Sequence, residues 1–216
     1  MTMIFTQPIN SLFDVRLCKA FDMAASKTVV WKFVDSMLNR GRAILRLTIM
    51  RVLAVDASLR NTGVAIVDAN NGKPRSVYFG TIHNGRSLRS SSCLVAIRDQ
   101  LVGLIREHEP DCCALESVIY VQSHKTAIVL GAARGAAILA AAENGLPVFE
   151  YPPRRIKQST VGRGAAGKNQ VAFMVRALLG LTETPDADAA DALAIALTHL
   201  RAQEAAALGL SGGTQI

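Results

Sequence analysis

From Met50 onward the chain alternates between short apolar runs closed by turn residues and longer stretches in which apolar residues recur every three or four positions. Arg51 to Ala57, RVLAVDA, is a β-branched run with an acid near its end. SLRNTG then supplies turn residues, and Val64 to Asp68 predicts a second strand, hence a hairpin. Asn70-Asn71-Gly72-Lys73-Pro74 is the next turn, and Ser76 to Ile82 the next strand. Leu94, Ile97, Leu101, Leu104 and Ile105 have helical spacing, which predicts a helix over 88–107 ended by Pro110. Cys112 to Glu116 predicts a compact buried strand, and Lys125 to Glu143 an Ala/Gly-rich helix stopped at Asn144-Gly145. Residues 147–150 predict a fifth strand, and 152–167 a basic, glycine-bearing loop with one helical turn. Helices follow over 169–179 and 186–202. Strands in hairpins followed by alternating helices and strands give an α/β fold: a five-stranded mixed sheet covered by helices.

Composition divides this picture in two. Half of the 216 residues are hydrophobic and 19% are charged, which is globular rather than disordered. Aromatics make up 5%, too few for a multi-base stacking platform. No uninterrupted apolar run reaches the ~18 residues of a membrane-spanning helix, so no membrane association is expected. Five of the six methionines lie at or before Met50, and residues 1–49 hold seven basic against three acidic residues of a net charge of +7. The expected organisation is a dispensable N-terminal extension over 1–49, a main domain over 50–202 and a flexible tail over 203–216. Asp14 and Arg16 interrupt any secretory signal, and Asp14, Asp22 and Asp35 weigh against a transit peptide. Cys18, Cys93, Cys112 and Cys113 form no C-x-x-C pair, which fits a reducing, cytoplasmic setting.

The candidate chemistry lies in acids placed where solvating charges do not belong. Asp56 follows Val52 to Val55, and Glu116 follows Cys112 to Leu115, so each ends a strand that reads as buried on both faces. The carboxyl ends of such strands line the functional crevice of α/β sheets. In PDADAADALAIALTH, Asp188 and Asp191 are three apart and share a helix face. Asp186 is read as the N-cap of that helix. Asp191 lies beyond the first turn, where capping does not account for it. Four carboxylates in an apolar crevice need neutralising, and a set without His or Cys at ligand spacing points to Mg²⁺ or Mn²⁺.

These residues resemble a known family. VDASLRNTG, ALESV, AARGAAILAA, LPVFEYPPRRIKQSTVG, GKNQVAFMVRALL and DADAADALAIALTH together look like a RuvC-type Holliday junction resolvase, from about Met50 to Arg201. The resemblance implies an RNase H-like fold, a homodimer, and paired symmetric nicking of four-way junction DNA with two metal ions per subunit. It implies metal ligation by Asp56, Glu116, Asp188 and Asp191, and a role for Lys157 and Lys168 at or near the scissile phosphate. A branch-migration motor and its junction-binding platform are the implied protein partners. The family often has an aromatic three residues after the catalytic Glu; here that position is Ile119, with Tyr120 beside it as an alternative for unstacking a base. Arg154, Arg155, Lys157, Arg163 and Lys168, interspersed with Gly162, Gly164 and Gly167, read as a phosphate-contacting loop. Lys125 and Arg134 fit either DNA contact or the solubilising of their helix, and the four histidines read as surface or packing residues. The alternatives are an RNase H-fold nuclease acting on RNA–DNA hybrids or other branched DNA, and a catalytically silent DNA-binding module.

Overall fold

The computed structural model describes residues 49–70, 72–118, 123–209 and 213–216. The expected extension over 1–49 therefore lies, but for Ile49, outside the described residues. Strand β1 (Ile49–Asp56) pairs antiparallel with β2 (Asn61–Asn70), which pairs antiparallel with β3 (Lys73–His83). Helix α1 (Ser90–His108) leads to β4 (Cys112–Glu116), parallel to β1. Helix α2 (His124–Glu143) leads to β5 (Val148–Tyr151), parallel to β4. Then come α3 (Pro153–Val161), α4 (Lys168–Leu179), α5 (Ala187–Ala207) and β6 (Thr214–Gln215). The spatial order is β3-β2-β1-β4-β5-β6.

Alternation along the central strands supplies two cores. Val52 and Ala54 of β1, with Cys112 and Ala114 of β4, face α5, α3 and α4. Leu53 and Val55, with Cys113 and Leu115, face Ile97, Leu101 and Ile105 of α1 and Ala133, Ala137, Ala140 and Ala141 of α2. That is why β1 and β4 read as continuous apolar runs: both faces are covered. By length and composition α2 would pass for a membrane span, although no apolar run in the sequence was read as long enough. It serves as a covering helix, its alanine face buried on the sheet.

Three expectations are corrected. The sheet has six strands, not five, because the tail expected to be loose returns to the sheet. There Phe149 pairs with Gln215 and Glu150 with Thr214. Gly213 permits this return, since a Cβ there would lie 2.2 Å from the Tyr151 hydroxyl oxygen. The segment expected as a loop with one turn is the nine-residue helix α3. Pro153 starts it and Gly162 closes it at φ 79, while Ile156 and Thr160, four apart, bury its inner face. Finally, α5 runs five residues past the expected end at 202, to Ala207.

Candidate active site

Val55 and Leu115 are register partners on parallel strands, so Asp56 and Glu116 follow them side by side at adjacent strand ends. Each acid alternates in phase with the residue two before it, Ala54 or Ala114, and so leaves the sheet on the face that α5 covers. On α5, Asp188 and Asp191 are half-buried, while Ala192 to Leu200 around them are fully buried. The first turn of α5 thus lies over the ends of β1 and β4.

Two contacts fix that turn. Asp186 caps the helix as expected, its Oδ1 accepting from the Ala189 amide at 2.8 Å. The same oxygen accepts from the Thr81 hydroxyl of β3 at 2.9 Å. The second contact is at Gly63, the register partner of Asp56. A Cβ on Gly63 would lie 2.0 Å from the Asp188 carbonyl oxygen, so only glycine lets α5 approach β2 this closely. Thr81 did not stand out in the sequence, and Gly63, expected as a turn residue of SLRNTG, is the third residue of β2: a close approach between elements 125 residues apart leaves no periodic trace.

The acids share one field. Asp56 is pushed up to about 7, first by burial and then by the charges of Glu116, Asp191 and Asp188, with Lys168 opposing. Glu116 is raised by burial and by Asp191, against the pull of Lys157 and Lys168. Asp191 is raised by burial, opposed by Lys168 and, more weakly, Lys157, while Asp188 adds to the rise. Lys168 Nζ stands 3.5 Å from Asp191 Oδ2. The structure therefore brings together all four expected carboxylates and both expected lysines. Among the described residues, however, no three His, Cys, Asp or Glu groups converge closely enough to hold an ion as they stand. The oxygens share a field rather than a point. Their chemistry still fits a hard divalent cation: half-buried oxygen donors, mutually repelling, and short of positive charge.

The other expected DNA contacts divide. Arg154 and Arg163 are exposed; Arg154 lies against Gly164, where a Cβ would come within 2.7 Å of its Cγ. The Arg155 guanidinium sits over the Tyr151 ring, 5.5 Å from its centroid. Ile119 and Tyr120 lie outside the described residues. Arg134, which the sequence left between two roles, forms an ion pair with Glu150 and so ties α2 to β5. His199 is a packing residue, not a ligand. It is fully buried, with Nδ1 2.8 Å from the Tyr151 hydroxyl and Nε2 3.1 Å from Cys112 Sγ. Burial lowers its pKa to about 4.

Comparison with known proteins agrees with this geometry. Residues 52–199 match the family profile described as crossover junction endodeoxyribonuclease RuvC. A protein of that description from Akkermansia muciniphila is 56% identical over 151 residues, covering 70% of this chain and 90% of its own. One from Saccharophagus degradans is 46% identical over 164 residues, covering 76% and 94%. Among solved structures, Thermus thermophilus RuvC in complex with Holliday junction substrate matches with a TM-score of 0.69 and 31% identity. That match covers 76% of this chain and 99% of the other.

Proposed function

Because the chain belongs to the crossover junction endodeoxyribonuclease RuvC family, we propose that it resolves four-way DNA junctions by paired nicks, using the acids at the ends of β1, β4 and α5. The family consists of metal-dependent nucleases, and the fold is its RNase H-like one. The observation that carries the reading is the clustering itself. Four acids from three elements meet there, and Asp56 is lifted to about 7 by burial and then by the charges of Glu116, Asp191 and Asp188. A structural role would not sustain such a cost.

Asp56, Glu116, Asp188 and Asp191 are proposed to hold two Mg²⁺ ions per subunit, with Mn²⁺ as a substitute. Bound there, the ions would supply an activated water and stabilise the leaving 3′ oxygen. The residues of the chain do the positioning. β1 and β4 hold two acids rigidly side by side, and Gly63 with Asp186 sets the height of α5 above them. Lys168 orients Asp191 and, with Lys157, offsets charge gathering on the phosphate. Arg154, Arg155 and Arg163 bind the backbone near the nick, and Ile119 or Tyr120 serves to part bases. A homodimer is supported by α2, which leaves Ile128 73% and Leu139 51% exposed beside small residues. Three buried free thiols, Cys93, Cys112 and Cys113, support a cytoplasmic setting. A branch-migration motor and its platform are the proposed protein partners.

The test is cleavage of a synthetic four-way junction with Mg²⁺, beside an RNA–DNA hybrid, a plain duplex and a flap. Symmetric nicks in the junction alone support the reading. Preferential cleavage of the hybrid or duplex, or no cleavage with undiminished junction binding, would overturn it.

A further inference from the structure

The loop after β3 lies at the same end of the sheet as Asp56. His83 ends β3 as the register partner of Asn61, which begins β2, and Asp56 ends β1 opposite Gly63. The loop over 84–89 is fastened to the loop that directly follows Asp56. The Asn84 amide donates to Arg60 O at 2.8 Å. Asn84 is buried, and its side chain donates to Leu59 O at 2.9 Å and Cys93 O at 3.3 Å. Arg60 closes the far side, its Nη1 donating to Gly85 O at 2.5 Å and Leu88 O at 3.2 Å. These bonds through Asn84, Gly85 and Leu88 hold the loop's shape.

Its exposed charged groups are all cations. Arg86, Ser87 and Arg89 are exposed, and neither arginine side chain has an ion pair or hydrogen bond among the described residues. From Ala69 to Arg98 the chain contains Lys73, Arg75, Arg86, Arg89 and Arg98, and no Asp or Glu. Thirty residues without an acid beside a carboxylate cluster make an abrupt change of sign. Cations with no acid to pair with, on a loop with no freedom to fold back, make a surface set for a polyanion.

We infer that Arg86 and Arg89 form a second DNA-backbone surface, distinct from the α3 and α4 cations, that holds a junction arm leaving the carboxylates. The inference rests on the proposed reading as a junction nuclease and names a contact that reading lacks. Arg154 and Lys157 follow β5, and the new surface follows β3. In the sheet order β3-β2-β1-β4-β5, Asp56 and Glu116 lie between them. β3 stands two strand spacings, about 10 Å, from β1. A duplex with its scissile phosphate at the acids is thereby gripped on both flanks, which fixes its direction as well as its position.

The experiment is a salt titration of junction binding in a chelating buffer, so that no cleavage occurs, for the full chain and for the double variant Arg86→Gln with Arg89→Gln. Each lost phosphate contact should lower the slope of log affinity against log salt by about one. The variant's slope should therefore flatten by about two, and its loss of affinity from about 50 to about 200 mM salt should shrink roughly tenfold. Arg98→Gln removes a charge of the same stretch that pairs with Glu143 and Asp99, and should leave the slope unchanged. Single-turnover cleavage at saturating protein should be unaltered in Arg98→Gln. Should the double variant misfold, Ser87→Lys offers the converse readout, a slope steeper by about one. A parental slope in the double variant, or an equal flattening in Arg98→Gln, would sink the inference while leaving the nuclease reading intact. A parent chain that binds the junction no better than duplex would sink the reading itself, and the inference with it.

Discussion

Strand β1 carries a charge at each end, and the fold treats the two in opposite ways. Near its start, Arg51 is held by three contacts, with only its buried Nε left without a partner among the described residues. Its backbone amide donates to Asp111 Oδ2 at 2.8 Å and its Nη1 to His108 O at 2.6 Å, while Nη2 meets Asp68 Oδ2 at 3.3 Å. Arg75 adds a second cation to that buried aspartate at 3.5 Å. At the other end of the strand, Asp56 has no such partner among the described residues. Its nearest charged company is three more acids, and one lysine offsets them. The same element thus shows charge balanced for stability at one end and left unbalanced at the other. The difference teaches where to look for chemistry: not at buried charge as such, but at buried charge the chain does not itself neutralise.

The contrast is easily strained by mutation. Asp56→Asn should lower junction cleavage by at least about 10³-fold while junction affinity changes little, since binding rests on phosphate contacts. The same variant should melt higher than the parent at pH 8 without divalent ions. The sign follows from the shift: the folded carboxyl titrates near 7, above its ordinary 3.8, so its ionisation costs stability as pH rises between those values. Cleavage at the parental rate, or a lower melting point, would erase the distinction between the two ends. Asp68→Asn should do the reverse. Its cation partners reach solvent, so the loss should cost about 1 kcal/mol, read by chemical denaturation, with cleavage per folded molecule unchanged.

Gly63→Ala tests whether the acids depend on the height of α5. A methyl 2.0 Å from the Asp188 carbonyl must move the helix or the strand. Cleavage should fall about 10²-fold, as a misplacement near 1 Å does, and raising the metal concentration should recover part of it. A variant that is merely unstable would instead show normal metal dependence in its folded fraction. An effect confined to acid pH is expected at His199, which is buried and uncharged. Its surroundings are Tyr151, Cys112 and Phe149, with the Arg155 guanidinium beyond the Tyr151 ring. Because its folded pKa is near 4 against an ordinary 6.5, the unfolded chain takes up the proton first. Its contribution is complete above pH 6.5 and is lost as pH falls toward 4, by at most about 3 kcal/mol. The stability difference between parent and His199→Gln should therefore narrow over that window, and a constant difference would contradict it.

How far the sequence carried these conclusions follows from the range of each interaction. Asp56 and Glu116 were legible because each interrupts an apolar run, and that is a local pattern. Asp188 and Asp191 were legible from helical spacing on an otherwise apolar helix. The α3 helix was half legible: Pro153 and Gly162 are ordinary start and stop signals, but only Ile156 and Thr160 are buried among basic residues. The six-stranded sheet was hidden because β6 is two residues of a glycine-rich tail that gains order only from the edge of β5. Gly63 was read as a turn residue because its meaning in β2 lies in a carbonyl far along the chain. Arg134 was ambiguous on its helix until Glu150 gave it a partner.

The two edges of the sheet have unequal lengths, and this bears on self-association. β6 offers two residues at one edge, too few to template another strand. β3 offers eleven at the other, with Tyr78 and Phe79 each 39% exposed. Lys73, Pro74 and Arg75 blunt its start, and the irregularity opposite Ile66 and Val67 breaks its regularity. Among the described residues the sheet is open along one long edge only, so it can pair once, β3 against β3, and is then closed. Misassembly by this route would stop at a pair of molecules instead of growing into a fibre.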